Sequence, residues 1–146
     1  MTASVALSPD LDTRFEIGGR EFRSRLMVGT GKYASNAQMI SAIEASGAEV
    51  VTVAVRRVDL DRTKDEGILH HLDPQRFMLL ANTAGCFAID DTIRYARLGR
   101  AAGFNEWVKL EVIGDQQTLL PDAAATIEAT RAASRTPHPH PPAAVR

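Results

Sequence analysis

A lysine and a glutamate two residues apart, Lys109 and Glu111, are the residues of this chain best placed to do chemistry. They lie in residues 107–113, which we interpret as a β-strand. Successive side chains of a strand point to opposite faces, so both charged residues share one face. An ion pair on a buried face costs free energy unless it has a function. The pair therefore marks the candidate site.

The surroundings of this pair depend on how the sheet is covered. Val108, Leu110 and Val112 form the other face of the strand, and helices packed outside a parallel sheet would bury such an apolar face. Lys109 and Glu111 would then point into the concave interior of the sheet. The alternative is a half-exposed strand whose polar face is solvated, and this run of residues alone leaves the choice open.

Earlier elements must position the pair. Residues 15–22 predict a β-hairpin, because Gly18-Gly19 supplies the positive φ angles of a two-residue turn. Ser35 and Gln38 predict a capping box at the start of a helix that ends near Gly47. Further strands and helices follow this helix along the chain. The predicted strands cover 26–28, 48–55 and 77–82, and the later helices cover 67–72, a segment beginning near Asp90 and ending at Gly103, and a last helix running through 133 with Pro121 in its first turn.

Alternating strands and helices with short loops predict an α/β fold with parallel strands and right-handed crossovers. The strands recur at close to the spacing of a (β/α)₈ TIM barrel, whose eight units need about 250 residues. We therefore predict a half-barrel of about four βα units over residues 14–134, preceded by the hairpin. A doubly wound, flavodoxin-like sheet is the competing architecture. An ionisable pair inside a central strand favours the barrel.

Composition limits the classes of function. The 146 residues carry 17 basic and 18 acidic side chains, a net charge of −1, which offers no broad surface for nucleic acid or an anionic membrane. The single cysteine, Cys86, excludes an internal disulfide and fits a reducing compartment. Neither a signal peptide nor a membrane span is recognisable, so we expect a cytoplasmic protein.

The two ends of the chain differ in composition from the rest. Residues 1–13 predict a disordered leader. Residues 135–146 predict a disordered, Pro/His-rich tail, and the abrupt change in composition suggests that the natural continuation has been replaced or lost. His138 and His140 are too few to close a metal site, so we expect no metal.

Five short motifs, taken together, resemble bacterial thiazole synthase of the thiamin pathway over residues 14–134. They occur in the order of that family and at plausible spacings, which is far more specific than any one tetrapeptide. The motifs are Gly29-Thr30-Gly31-Lys32-Tyr33, Thr52-Val53-Ala54-Val55-Arg56-Arg57, Asn82-Thr83-Ala84-Gly85-Cys86, Trp107-Val108-Lys109-Leu110-Glu111-Val112-Ile113 and Leu119-Leu120-Pro121-Asp122.

The resemblance implies a barrel enzyme that makes thiazole phosphate without a cofactor. Its substrates would be 1-deoxy-D-xylulose 5-phosphate, dehydroglycine and the thiocarboxylate of a small sulfur-carrier protein. Lys109 matches the lysine that forms an imine with the sugar ketone, and Glu111 matches a nearby acid/base group. Asn82 and Thr83, at the end of the preceding strand, are candidate substrate-binding residues. A homo-oligomer is also expected.

The resemblance has a limit that bears on activity. The late-strand phosphate loops and a later catalytic aspartate of the family have no counterpart that can be assigned here. An imine-forming lysine must lose a proton whose ordinary pKa is about 10.4, which requires a closed, water-poor lumen. We therefore expect little or no activity from the chain alone. The alternatives are a non-catalytic fragment that associates through open sheet edges and a doubly wound domain that binds a small ligand.

Overall fold

The computed structural model describes residues 14–61, 63 and 67–135. The predicted leader over 1–13 lies outside these residues. So does the predicted tail, apart from Arg135, and with it His138 and His140. The domain limits proposed from the sequence therefore stay predictions.

The described residues form a two-stranded hairpin followed by a four-stranded parallel sheet and three α-helices. In chain order the elements are β1 (Phe15–Ile17), β2 (Arg20–Phe22), β3 (Met27–Gly29), α1 (Asn36–Ser46), β4 (Val50–Ala54), β5 (Met78–Asn82), α2 (Ile89–Ala101), β6 (Val108–Lys109) and α3 (Ala123–Ser134). This arrangement confirms the predicted α/β class and the preceding hairpin. None of the helices in the described ranges is long and apolar enough to cross a membrane.

The order of the strands decides between the two candidate architectures. The sheet runs β3-β4-β5-β6, so neighbours in the sheet are also neighbours in the chain, and every pair is parallel. A doubly wound sheet binds its ligand where the strand order reverses. The described strands have no such reversal, and their sequential order is that of a partial barrel.

Helices cover one face of the sheet. The strand side chains Val51, Val53, Leu79 and Ala81 pack in one cluster with helix and loop residues, and Val108 packs against the same cluster. The helix and loop members include Met39, Ile43, Leu69, Leu72 and Phe104. This outer core buries the apolar face that the sequence predicts for Val108, because alternate strand residues point the same way.

The hairpin covers part of the opposite face. Val50, Met78 and Leu80 pack there with Phe22, and Trp107 lies against them. The rings of Phe22 and Trp107 are 5.9 Å apart at their centroids. Both turn glycines have positive φ angles, as predicted. The hairpin therefore covers the inner face at the amino-terminal ends of the strands. The carboxyl ends, where the candidate site residues lie, are left uncovered by it.

Three local predictions need correction. Residues 67–72 form turns instead of the predicted helix, with the N–H of His70 bonded to the carbonyl of Gly67. The strand predicted over 107–113 is regular only at Val108–Lys109. Asp122, not Pro121, begins the last helix, because its carboxylate accepts the N–H of Ala125 at 2.9 Å as an N-cap.

A carboxylate fastens the hairpin to the sheet. Glu49, directly before β4, accepts the N–H groups of Arg23 and Ser24 at 2.6 and 2.9 Å. The hydrogen bond from Ser24, and then that from Arg23, lowers the pKa of Glu49 below its usual value. A carboxyl group whose pKa is lower in the folded state stabilises the fold at pH values above its pKa in the unfolded state. This stabilisation is lost as the pH falls through the pKa of the folded state.

We expect Glu49→Gln to lower the free energy of unfolding at neutral pH by about 1 kcal/mol, because the charged acceptor is lost. The difference from the unsubstituted chain should shrink as the pH drops below about 4. Denaturant unfolding at several pH values measures this. Glu128→Gln, on the exposed side of α3, is the control. An equal loss for Glu49→Gln at every pH would contradict the role given to this carboxylate.

Candidate active site

Lys109 lies on the inner face of the sheet, at the carboxyl end of β6. Trp107, two residues earlier, packs on the hairpin side, whereas Val108 packs among the helices. Alternation therefore turns Lys109 to the same face as Trp107. In the sheet register Lys109 is the partner of Asn82, which in turn is the partner of Ala54. Ala54, Asn82 and Lys109 therefore lie side by side on the inner face, at the carboxyl ends of β4, β5 and β6.

Asn82 neighbours Lys109 in the sheet. Its side chain is 9% exposed, and its Oδ1 accepts the N–H of Ala84 at 2.9 Å. That hydrogen bond fixes which end of the amide faces the loop. Among the described residues the Nδ2 group of Asn82 has no hydrogen-bond partner. It is a donor available to an oxygen bound next to Lys109.

Glu111 lies two residues beyond the end of β6. Its backbone is fixed by Thr83, whose hydroxyl accepts the N–H of Glu111 at 2.9 Å and donates to its carbonyl at 3.0 Å. The N–H of Thr83 donates to the carbonyl of Lys109 at 3.2 Å. The structure thus brings together all four residues selected from the sequence, Asn82, Thr83, Lys109 and Glu111, at adjoining strand ends.

The four side chains differ in their exposure to solvent. Thr83 is completely buried, Glu111 is half-buried, and Lys109 is exposed. Within the described residues Lys109 and Glu111 do not form an ion pair with each other; the ion pairs seen there join Arg76 to Glu44 and Arg94 to Asp91 on the surface. Lys109 therefore lies on the inner face of the sheet with its side chain open to solvent.

Comparison with known proteins identifies the family of this chain. The family profile described as "Thiazole biosynthesis protein ThiG" matches residues 16–135. The chain belongs to the ThiG family. Among curated relatives, this ThiG chain is 56% identical over 115 residues to the thiazole synthase of Geotalea uraniireducens (strain Rf4) and 56% identical over 122 residues to that of Solibacter usitatus (strain Ellin6076).

The matches cover most of this chain but only part of the relatives. The Geotalea alignment includes 79% of this chain and 44% of the relative, and the Solibacter alignment 83% and 47%. A solved structure, the BexX/CysO complex of Amycolatopsis orientalis, matches with a TM-score of 0.62 and 33% identity over 80% of this chain and 48% of the other. The ThiG chain thus spans about half the length of the proteins it matches.

The loops at the strand ends of this ThiG chain are tied to each other. Arg56, just after β4, donates from its guanidinium to the carbonyl of Gly85 in the loop after β5. This hydrogen bond braces the two loops against each other. Gly85 has a φ of 85°, and a Cβ there would lie 3.2 Å from the Arg56 guanidinium. The positive φ angle therefore favours glycine at this position.

Cys86 lies beside these loops as a buried side chain. It is 2% exposed, and burial raises the pKa of its thiol, with a hydrogen bond to Thr92 acting in the opposite direction. A protonated, buried thiol is a poor nucleophile. Cys86 therefore acts in the described structure as a small buried apolar residue.

Sequence reasoning missed how the segment after β6 is held. The N–H of Val112 donates to Thr126 Oγ1 of α3 at 3.2 Å, and the N–H of Ile113 donates to the carbonyl of Cys86 at 2.8 Å. Together with Thr83, these groups replace the regular strand pairing that was predicted over 107–113. No pattern in the sequence marks these threonines, because their partners are 14 and 28 residues away.

Proposed function

We propose that this chain carries the imine-forming part of a thiazole synthase that acts in the cytoplasm on 1-deoxy-D-xylulose 5-phosphate. The observation that carries the proposal is the position of Lys109 on the inner face, beside Asn82 and before Glu111, at the carboxyl end of the sheet. Barrel enzymes build their active sites at that end. The names and identities of the curated relatives support the same activity.

The proposed chemistry starts at the lysine nitrogen. The neutral amine of Lys109 attacks the ketone carbon of the sugar phosphate, and loss of water leaves an imine. The protonated imine draws electrons from a neighbouring C–H bond, so the carboxylate of Glu111 can take that proton while the electron pair forms an enamine. Asn82 and Thr83 remain our candidates for the residues that line the substrate site, with the Nδ2 of Asn82 as a hydrogen-bond donor.

Dehydroglycine and sulfur would enter at later steps. We propose a small sulfur carrier, ending in a thiocarboxylate, as the protein partner that delivers the sulfur. The matched Amycolatopsis structure is itself a complex of two proteins, BexX and CysO, which supports a protein partner for this chain. We also propose self-association, since β3 and β6 each have one neighbour among the described strands and present an unpaired edge there.

Reductive trapping tests the proposed function. The purified chain is incubated with 1-deoxy-D-xylulose 5-phosphate and cyanoborohydride, which reduces imines. The chain is then digested, and the masses of its peptides are measured by mass spectrometry. We expect a reduced sugar-phosphate adduct on the peptide that contains Lys109, because irreversible reduction accumulates even a small fraction of imine in a chain that completes little or no synthesis. No adduct, together with oligomers on size-exclusion chromatography, would instead support a non-catalytic fragment that associates through its sheet edges.

A further inference from the structure

The hydrogen bonds of Thr83, directly after β5, depart from those of a regular parallel sheet. In a regular parallel ladder, one residue bonds to two positions of the next strand, through its N–H and through its carbonyl. The N–H of Thr83 follows this rule and donates to the carbonyl of Lys109 at 3.2 Å. Its carbonyl should then accept the N–H of Glu111. It accepts the N–H of Cys86 at 3.2 Å instead, and so closes the loop after β5.

The side-chain hydroxyl of Thr83 replaces its backbone carbonyl as the acceptor for the N–H of Glu111. The hydroxyl accepts the N–H of Glu111 and also donates to the carbonyl of Glu111, so one oxygen satisfies both backbone groups. The hydroxyl of Thr92 lies 3.3 Å from the same carbonyl. Thr83 is 0% exposed. The hydroxyl of Thr83 thus donates one hydrogen bond and accepts another, and both partners belong to the backbone of Glu111.

We infer that Thr83 is a positioning residue that holds Glu111 beside Lys109, acting through the backbone of Glu111. The inference rests on the proposed function, since it assigns Thr83 a part in the proton transfer that follows imine formation. Serine and threonine side chains carry a hydroxyl that can both donate and accept at this distance from the backbone. Valine has the shape of threonine without either capacity, so it isolates the hydroxyl from the packing.

The first test measures backbone amide exchange by NMR on the 146-residue chain. In the unsubstituted chain the Glu111 amide should be protected although it lies beyond the paired strand. Thr83→Val should accelerate its exchange about tenfold or more relative to the amides of β4, and Thr83→Ser should preserve protection. Thr126→Val is the matched control, because it removes the hydroxyl bonded to Val112 and should leave Glu111 protected. An unprotected Glu111 amide in the unsubstituted chain overturns the inference without any variant.

The second test separates positioning from a merely structural role. In D₂O, the deuterium gained at the carbons next to the ketone of 1-deoxy-D-xylulose 5-phosphate reports the proton transfer, and the trapped adduct reports the imine. Thr83→Val should lower the ratio of deuterium gain to adduct by about tenfold or more, while Thr83→Ser retains it. A parallel fall in both signals, with the ratio unchanged, contradicts the inference.

The two tests fail in different ways. If the unsubstituted chain forms no adduct, the proposed function fails, and amide exchange alone decides whether Thr83 holds Glu111. If the adduct forms and the Glu111 amide is insensitive to Thr83→Val, the proposed function survives and the inference is wrong. A Thr83→Val chain that loses protection throughout β4 is unfolded, and the unsubstituted chain and Thr83→Ser then give the answer.

Discussion

Replacing Lys109 with arginine is expected to reduce the trapped adduct with 1-deoxy-D-xylulose 5-phosphate about 100-fold or more, to background. Arginine keeps the positive charge and much of the length of the side chain, and Lys109 is exposed on the inner face, so the fold should tolerate the change. A guanidinium does not lose its proton in proteins and cannot form the imine. The measurement is the mass of the peptide containing residue 109 after reduction.

Lys32→Arg provides the matched control for this prediction. Lys32 is an exposed lysine in the loop after β3, so the same substitution there removes an amine that is not one of the four proposed site residues. We expect its adduct to equal that of the unsubstituted chain. Full adduct in the Lys109→Arg chain, or its loss in the Lys32→Arg chain, would show that trapping occurs at a different amine.

The second large effect is expected on stability, where helix α2 rests on the sheet. A Cβ on Gly99 would lie 2.9 Å from the Cβ of Ala81 and 3.1 Å from Cγ2 of Val55. Neither neighbour is a flexible side-chain end, so the helix would have to move away from the sheet. We expect Gly99→Val to lower the free energy of unfolding by about 3 kcal/mol, as overpacked cores do. Denaturant unfolding followed by circular dichroism measures this loss.

The control for Gly99→Val lies two residues along the same helix. Ala101 is exposed, so Ala101→Val adds a similar branched side chain with no contact to the sheet. Its cost should be limited to the weaker helix propensity of valine, about 0.5 kcal/mol. Valine has a better helix propensity than glycine, so propensity cannot account for a loss at Gly99. A loss for Gly99→Val no larger than that for Ala101→Val would contradict the steric effect given to the close approach of α2 to the sheet.

Much of the local structure was predictable because its causes lie within a few residues. Ser35 accepts the N–H of Gln38 at 3.2 Å, as the capping box predicts, although the Gln38 side chain reaches back to Ala34. Gly47 ends α1 with a φ of 66°, as a left-handed cap. The alternation assigned Trp107 and Val108 to the correct faces. These features need only backbone geometry and hydrophobic periodicity.

Other features depend on contacts between distant residues. Glu49 bonds to backbone groups 25 and 26 residues earlier, and Thr83 to Glu111 28 residues later. Such partners are set by the register of the strands and by the path of the loops, which no short motif contains. Thr83 illustrates the consequence. Its position after a strand predicts a place in the substrate site, and the structure adds that its hydroxyl is bonded to the backbone of Glu111.

The sequence by itself determined the parallel α/β fold, the hairpin and the choice of Lys109 and Glu111, because residue types and their periods are local properties of the chain. The tertiary structure decided that β6 pairs over two residues, that a buried hydroxyl holds Glu111, and that Lys109 is open to solvent. Solvent exposure is a property of everything that surrounds a side chain. It is therefore known only once the neighbouring elements are in place.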